Sequence, residues 1–300
     1  MKRIDLLKPG GPALALHRMA PQDEMDLHWH GNVELVVITD GTGHHCTGDG
    51  TWPLRRGDVF VIPVGLSHGY ARLDELCLIN VGYDPLRLPL ARLAALPGYT
   101  ALCVLEPSLR RHQAFAGHLH LDEQDLARAL ALLDQLGDEL KRRDQGWETA
   151  AEGWLVQFLI LLARRYAEHD TPAARLVLRL QRVMSHLEAH LAEPLTQEEL
   201  ARVGGLSRAT LQRLFTACHG TSVIDHLNRL RVARARELLR GTTHSIAEVG
   251  KAVGFANPNY FSRVFARVAG VSPRQMRSDS GSTTPPSRRR ATAGSASARG

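Results

Sequence analysis

Two groups of residues in this chain carry chemistry that can act on something other than the chain itself. The first lies on a short polar helix face. The run from Gly254 to Phe265 (GFANPNYFSRVF) puts Phe261, Val264 and Phe265 at helical spacing, an apolar back. Asn257 is predicted to cap the helix start, and Pro258 suits a first turn where the missing N–H costs nothing. Asn257, Asn259, Ser262 and Arg263 form the opposite front, a set of donors and acceptors suited to a polar, anionic surface. Gly254 and residues 245–253 supply the turn and first helix of a helix-turn-helix. The second group is His28, His30, Glu34 and, further on, His68. Residues two apart on a strand point the same way, so His28 and His30 would face one cavity.

About fifty residues before the polar helix stands a second copy of it, Gly204 to Phe215 (GGLSRATLQRLF). Leu211–Phe215 lines up with Phe261–Phe265, Gly204 with Gly254, Ser207 with Asn257, Gly220 with Gly270 and Ser222 with Ser272. Its front is predicted to carry Arg208, Ala209, Gln212 and Arg213. Arg213 can fork onto guanine O6/N7 and Gln212 onto adenine N6/N7, each good bidentate pair giving ~1–3 kcal/mol of discrimination. Arg208 suits a phosphate, and Ala209 can touch only a thymine methyl. Between the copies, Ser222 to Arg240 reads as one helix, with Arg229, Arg231, Arg234 and Arg236 solvated, paired with Glu237 or on phosphate. At about 1.5 Å per residue it spans about 28 Å, near the about 34 Å between successive major-groove faces. A repeated helix-turn-helix at this spacing resembles the AraC/XylS family of transcription regulators. The likeness covers about Leu180 to Arg277, a third of the chain. The run from Gly254 through Gly270-Val271-Ser272-Pro273 is its most specific part. The resemblance implies double-stranded DNA as partner, a homodimer, a small-molecule effector, and activation through RNA polymerase.

The histidines lie in a stretch, Leu14 to Tyr83, that reads as short strands. Val33–Thr39 is β-branched and ends in a hairpin signal at Asp40-Gly41, Gly57 starts a turn into another strand, and Leu76–Val81 is a third. Turn signals this frequent suggest a small β-barrel or jelly roll. His28-Trp29-His30, Glu34 and Gly41, then Gly57, Pro63, Gly65 and His68, resemble the two cupin motifs. That likeness implies His28, His30, Glu34 and His68 at metal-ligand positions, and three imidazoles with a carboxylate suit divalent Zn, Fe, Mn or Ni. Arg72 stands where an Asn is often found. The alternative is a polar pocket wall without metal. There the same four residues hydrogen-bond the hydroxyls of an effector, sugars among the class, while Trp29, Trp52 or Tyr70 offers a ring face.

The fold class expected is α+β. It comprises a cupin-like sensing domain over residues 1–110, a helical connector and dimerisation region over 111–172, a tandem helix-turn-helix domain over 173–278, and a disordered basic tail over 279–300. The connector's helices are read at Leu121–Leu140, with Leu126, Leu130, Leu133, Leu136 and Leu140 near heptad spacing, and at Ala150–Tyr166. Thr196 with Glu199 reads as a capping box. From Leu176 onward there are about 19 Arg and Lys against about 8 Asp and Glu, within a net charge of +6 for the whole chain. A basic half points to a polyanion partner for that half. The longest apolar run, Trp154–Ala163, is too short for a membrane span, and no signal peptide is visible. Cys46, Cys77, Cys103 and Cys218 have no paired spacing, consistent with a reducing cytoplasm. Two rival readings remain: a metal-dependent cupin enzyme fused to a DNA-binding domain, and a constitutive architectural DNA binder.

Overall fold

The computed structural model describes residues 2–110 and 119–281. The basic tail from 282 on, Arg288–Arg290 included, lies outside the described residues. The fold is α+β and forms two compact units, one of residues up to Ala189 with Leu195–Ile224, the other of His190–Pro194 with the chain from Asp225 on.

The first unit begins with an eight-stranded sheet: β1 Lys2–Arg3, β2 Leu14–Met19, β3 Met25–Trp29, β4 Val33–Thr47, β5 Gly50–Arg55, β6 Asp58–Ile62, β7 His68–Tyr83 and β8 Leu119–His120. Its order is β1-β3-β7-β4-β6-β8, with β2 on β7 and β5 on β4. The two long strands are its frame. β4 and β7 pair antiparallel from Val33↔Tyr83 to Thr47↔His68, and each carries different partners on its two halves. Val36, Ile38, Leu54, Phe60, Ile62, Tyr70, Leu76 and Leu78 form its core.

The hairpin expected at Asp40-Gly41 does not form. β4 runs straight through, and the register with β7 shifts between Ile38 and His44. Gly41 has φ +69°, and a Cβ there would fall 2.2 Å from the Glu75 carbonyl oxygen. The glycine serves a bulge where two strands approach too closely for a side chain. The reversal comes instead at Gly48-Asp49, between β4 and β5.

A short 3-10 turn (Leu90–Ala95), α1 (Pro97–Thr100), a π-helical turn (Ala101–Leu105) and α2 (Glu106–Arg110) lead on to two long helices, α3 (Glu123–Arg142) and α4 (Trp147–Glu168), packed together. Asp122 caps α3 through the Asp125 N–H at 2.8 Å. The buried row on α3 is Leu126, Ala129, Leu133 and Leu136, so Ala129 rather than Leu130 faces the core. α5 (Pro172–Ala189), α6 (Gln197–Gly204) and α7 (Arg208–His219) complete this unit. Thr196 Oγ1 accepts the Glu199 N–H at 3.2 Å and starts α6. α7 packs on α6 and also touches α2, where Cys218 Sγ lies 3.9 Å from the Leu105 carbonyl oxygen.

α8 (Val223–Gly241) leads into the second unit, with α9 (Ile246–Ala252), α10 (Pro258–Ala269) and α11 (Pro273–Gly281). Its core joins Val232, Ala235 and Leu239 of α8 to Val249, Val253, Phe255, Phe261, Val264, Phe265 and Met276. Ser245 and Glu248 make a reciprocal capping box at the start of α9. Arg231 is not on the polar surface. It is 8% exposed, donates to the carbonyls of Leu191 (2.9 Å) and Glu193 (2.6 Å), and lies over the Phe255 ring. Among the described residues, no helix is long and apolar enough to cross a membrane.

Candidate functional site

The polar helices are built alike. Ser207 caps α7 by accepting the Thr210 N–H at 3.1 Å. Asn257 caps α10 more fully, its Oδ1 accepting from Asn259 N at 2.9 Å and Tyr260 N at 3.1 Å. Both helices end at a left-handed glycine, Gly220 and Gly270. The turns before them differ from the sequence alignment. The left-handed turn residue of the first copy is Gly205, φ +62°, so it is Gly205 and not Gly204 that corresponds to Gly254, φ +91°. Gly204 is the last residue of α6, and a Cβ there would meet Val183 at 2.8 Å. From the left-handed glycine to the capping residue, the second turn is therefore one residue longer than the first.

On α7, Arg208, Ala209 and Arg213 are exposed and Gln212 is half-buried. Arg208 pairs with Glu198 at 2.7 Å, both side chains more than half exposed. Such a surface pair contributes about 0–1 kcal/mol, so exchanging Glu198 for a phosphate costs little. Gln212 already donates to Thr216 Oγ1 (2.9 Å) and accepts from Gln197 (3.3 Å). On α10, Asn259 and Arg263 are exposed, and Ser262 Oγ donates back to the Pro258 carbonyl at 3.0 Å. Tyr260, which the sequence reading left out, is 40% exposed, and Arg263 lies 5.4 Å from its ring centroid. The i,i+3 spacing of Tyr260 and Arg263 was the available signal. The positive dipole end at each helix start favours an anion there.

In the sheet, register brings the histidines together. His28 on β3 pairs directly with His68 on β7, and Glu34 sits on the neighbouring strand β4. The ring centroids of His28, His30 and His68 lie 4.3–4.9 Å apart. His28, His30, Glu34 and His68 are 4, 2, 1 and 0% exposed. Burial pushes the Glu34 pKa up, but the His30 and His68 imidazoles beside it prevail and hold it at about 2. Burial pulls His30 down, and Glu34 prevails there too and raises it; burial lowers His28. His30 Nε2 and His68 Nε2 approach Glu34 Oε2 at 2.8 and 3.2 Å, yet none of these three buried atoms has a hydrogen bond of acceptable direction. The buried Tyr70 hydroxyl also has none, its ring set edge-on to His68 at 6.2 Å. Unmet polar atoms of this kind fit a cation or a hydroxylated ligand, as the donor set does. Trp29 is not part of the group, for Arg3 lies over its ring at 5.1 Å. Elsewhere in this unit a cleft of about 920 Å³ opens between residues 6–12, β2 and α3, with Lys8, His17, Arg18 and Asp138 on its walls.

Residues 200–279 match the helix-turn-helix domain family, and residues 11–159 match the AraC-like ligand binding domain. The HTH-type transcriptional activator RhaR of Klebsiella pneumoniae subsp. pneumoniae is 32% identical over 280 residues, 92% of this chain and 96% of that protein. RhaR of Yersinia pseudotuberculosis is 32% identical over 268 residues, 88% of each. The DNA-binding domain of AdpA, a global transcriptional factor solved in complex with a target DNA, is 33% identical over 34% of this chain and 91% of that one, with a TM-score of 0.32.

Proposed function

The chain belongs to the AraC family of transcription regulators, and from that premise we propose how it reads DNA and what controls it. It is an effector-controlled, sequence-specific DNA-binding activator. The observation that carries the reading is the whole-length likeness to RhaR activators, together with two capped helices that each present an exposed Arg on a polar face.

In the proposed mode, α7 and α10 enter successive major grooves on one side of the duplex, α8 serving as spacer. Arg213 and Arg263 reach base edges. Asn259 and Ser262 add to the second readout, and Arg208 moves from Glu198 to a phosphate. Asn257 serves chiefly as cap, because its Oδ1 is committed to two N–H groups. Gln212 reads a base only by giving up Thr216 and Gln197. Ala209 stays close to the groove floor. The basic C-terminal half supplies salt-dependent attraction.

The effector is a small hydroxylated molecule, with sugars as the class. It is bound at the inward-facing polar atoms of His28, His30, Glu34, His68 and Tyr70. A second effector site is the cleft beside α3, favoured by its volume of about 920 Å³. An effector shifts DNA occupancy only by its differential affinity for two arrangements of the chain. The chain acts as a homodimer and recruits RNA polymerase from the cytoplasm; it is not read as an enzyme.

The test is selection of binding sites from random duplexes by the full-length protein. Enrichment of a motif with two conserved blocks one helical turn apart supports the reading. Enrichment of a single block refutes the tandem mode, and none refutes the function. His68→Ala against Asp138→Ala, scored by sugar-induced change in DNA occupancy, separates the two effector sites.

A further inference from the structure

Residues 6–12 are fastened to the sheet, yet they stand off from α3 and leave the cleft of about 920 Å³ between. Four contacts hold them. Leu6 lies against Gly82 of β7, where a Cβ would fall 2.7 Å from its own. His17 Nε2 donates to the Leu6 carbonyl at 3.4 Å. Lys8, Pro9, Gly10 and Gly11 make a type II turn: Gly11 N donates to the Lys8 carbonyl at 2.9 Å, and Gly10, φ +70°, follows the proline. Arg87 Nη2 then donates to the Gly11 carbonyl at 2.8 Å. The opposite wall is one face of α3, where Asp134, Gly137, Asp138 and Lys141 fall at i, i+3, i+4 and i+7. Glycine inside a helix is destabilising relative to alanine, and packing does not demand this one. A Cβ at Gly137 would meet only Leu16 Cδ2, at 3.9 Å, an ordinary contact. Its missing side chain keeps volume open in the cleft. The charges on the walls are unevenly committed. Arg18 pairs with Asp134 at 2.5 Å, and Arg143 donates to the Leu140 carbonyl at 3.2 Å and lies over the Trp147 ring. Among the described residues, Lys8, Lys141 and Asp138 have no side-chain partner. Near them Leu6, Leu16 and Leu140 are only half-buried.

We propose that this cleft binds a small organic oxyanion that also bears hydroxyls, a sugar acid or a sugar phosphate. Its carboxylate or phosphate is held by Lys8 and Lys141, a hydroxyl donates to the Asp138 carboxylate, and its carbon skeleton covers the half-buried leucines. Ammonium groups donate and cannot accept, and a carboxylate accepts and cannot donate, so the three uncommitted groups ask for both functions in one ligand. A neutral sugar leaves two lysines unanswered, and a ligand anionic throughout leaves Asp138 facing like charge. The negative dipole end of α3 opposes an anion, and Lys141 and Arg142 in the last turn offset it. The bound molecule joins residues 6–12 to α3, as the Arg18–Asp134 pair joins β2 to it. It therefore stabilises the junction between the sheet and the first long helix. The proposal rests on the reading of the cleft as an effector site and names the chemistry of that effector.

The test is calorimetric titration of the full-length protein, at up to millimolar ligand, with D-gluconate, D-glucuronate, glucose phosphorylated at its primary hydroxyl, neutral D-glucose and inorganic phosphate. A single site per chain is expected for a sugar acid or for the sugar phosphate, the two arms telling carboxylate from phosphate, with neutral glucose at least about tenfold weaker. The Lys8→Met/Lys141→Met double variant should lose at least about tenfold in anion affinity. Gly137→Leu, which projects into the cleft, should abolish binding while melting no lower than wild type. Anion affinity undiminished in either variant overturns the proposal. Inorganic phosphate bound as tightly as the organic anions, an adventitious ion only, overturns it too. Failure of all three organic anions to bind overturns the ligand class; if a neutral sugar then changes DNA occupancy in wild type and not in Gly137→Leu, the effector reading of the cleft survives. An anion held in the cleft that leaves DNA occupancy unchanged supports the site and sinks the effector reading.

Discussion

Gly205 and Gly254 occupy matching turns, and both have a left-handed backbone, yet replacing them with alanine should have unequal effects. At Gly205 nothing lies within 4 Å of an added Cβ. Gly205→Ala therefore meets only the left-handed penalty of about 1–2 kcal/mol, partly offset by about 0.4–1 kcal/mol from a stiffer unfolded chain. About 1 kcal/mol of net loss is expected. At Gly254 the same Cβ falls 2.9 Å from the Ala192 carbonyl carbon and oxygen. That backbone cannot move aside freely, because Arg231 grips the carbonyls on either side of it, Leu191 at 2.9 Å and Glu193 at 2.6 Å. Overpacking of about 1–3 kcal/mol is added, so Gly254→Ala should lose about 2–4 kcal/mol. Native-state hydrogen exchange is the suitable assay, reading α6–α7 and α9–α10 amides separately. All four Trp lie before α5 and do not report on the second unit. Amides of α9–α10 in Gly254→Ala should exchange at least about tenfold faster, relative to wild type, than α6–α7 amides do in Gly205→Ala, a ratio of ~1.4 kcal/mol. Gly254→Asn should recover only part of the loss, since it eases the backbone and not the contact. Losses equal within about 0.5 kcal/mol for the two alanines would refute the close-approach argument.

Three further outcomes follow from named contacts. Asn257→Ala should destabilise α10 by about 1 kcal/mol, whereas Asn257→Asp should keep the helix and weaken DNA binding by charge; equal DNA affinity for wild type and Asn257→Asp would place the residue away from the phosphates. Arg213→Ala should relax preference at one base position at a cost of ~1–3 kcal/mol, read by competition among single-base variants of the selected site; a uniform loss for all sequences, with a salt slope shallower by about one, would make it a phosphate contact. Burial pushes the Cys103 and Cys218 thiols up to about 12. Their raised pKa means the neutral thiol is favoured on folding, a contribution complete below the ordinary thiol value of 9.0 and lost as pH climbs toward about 12. At pH 8, iodoacetamide should therefore modify both far more slowly in the folded chain than in urea; equal rates would contradict this.

What the sequence revealed depended on whether the deciding interaction was local. Caps and apolar spacing are local, so Ser207, Asn257 and the Phe261–Phe265 face were legible, as were the helices carrying them. The histidine set was legible through its resemblance to the cupin motifs, but the contacts that orient its rings were not. The carbonyl that orients His30 belongs to Ile4, far back in the chain, and no spacing rule reaches it. Asp40-Gly41 misled for the opposite reason: its turn propensity is real, and long-range pairing of β4 with β7 overrode it, turning the glycine to a close-approach bulge. The shift from Gly204 to Gly205 came from aligning on letter identity, where the left-handed backbone was the property that had to match. Arg231 looked like one more surface cation, and only the packed second unit shows it bonded to two carbonyls under Phe255.

The central claim is that α7 and α10 read base sequence together. The most direct measurement is the affinity of full-length protein for its selected duplex against a scrambled one at ~150 mM salt, for wild type and for the Arg213→Ala/Arg263→Ala double variant. The account predicts a ratio of about 10³ or more for wild type, falling by at least about 100-fold in the double variant while affinity for scrambled DNA changes far less. A wild-type ratio near one, or a double variant that discriminates as well as wild type, would contradict it.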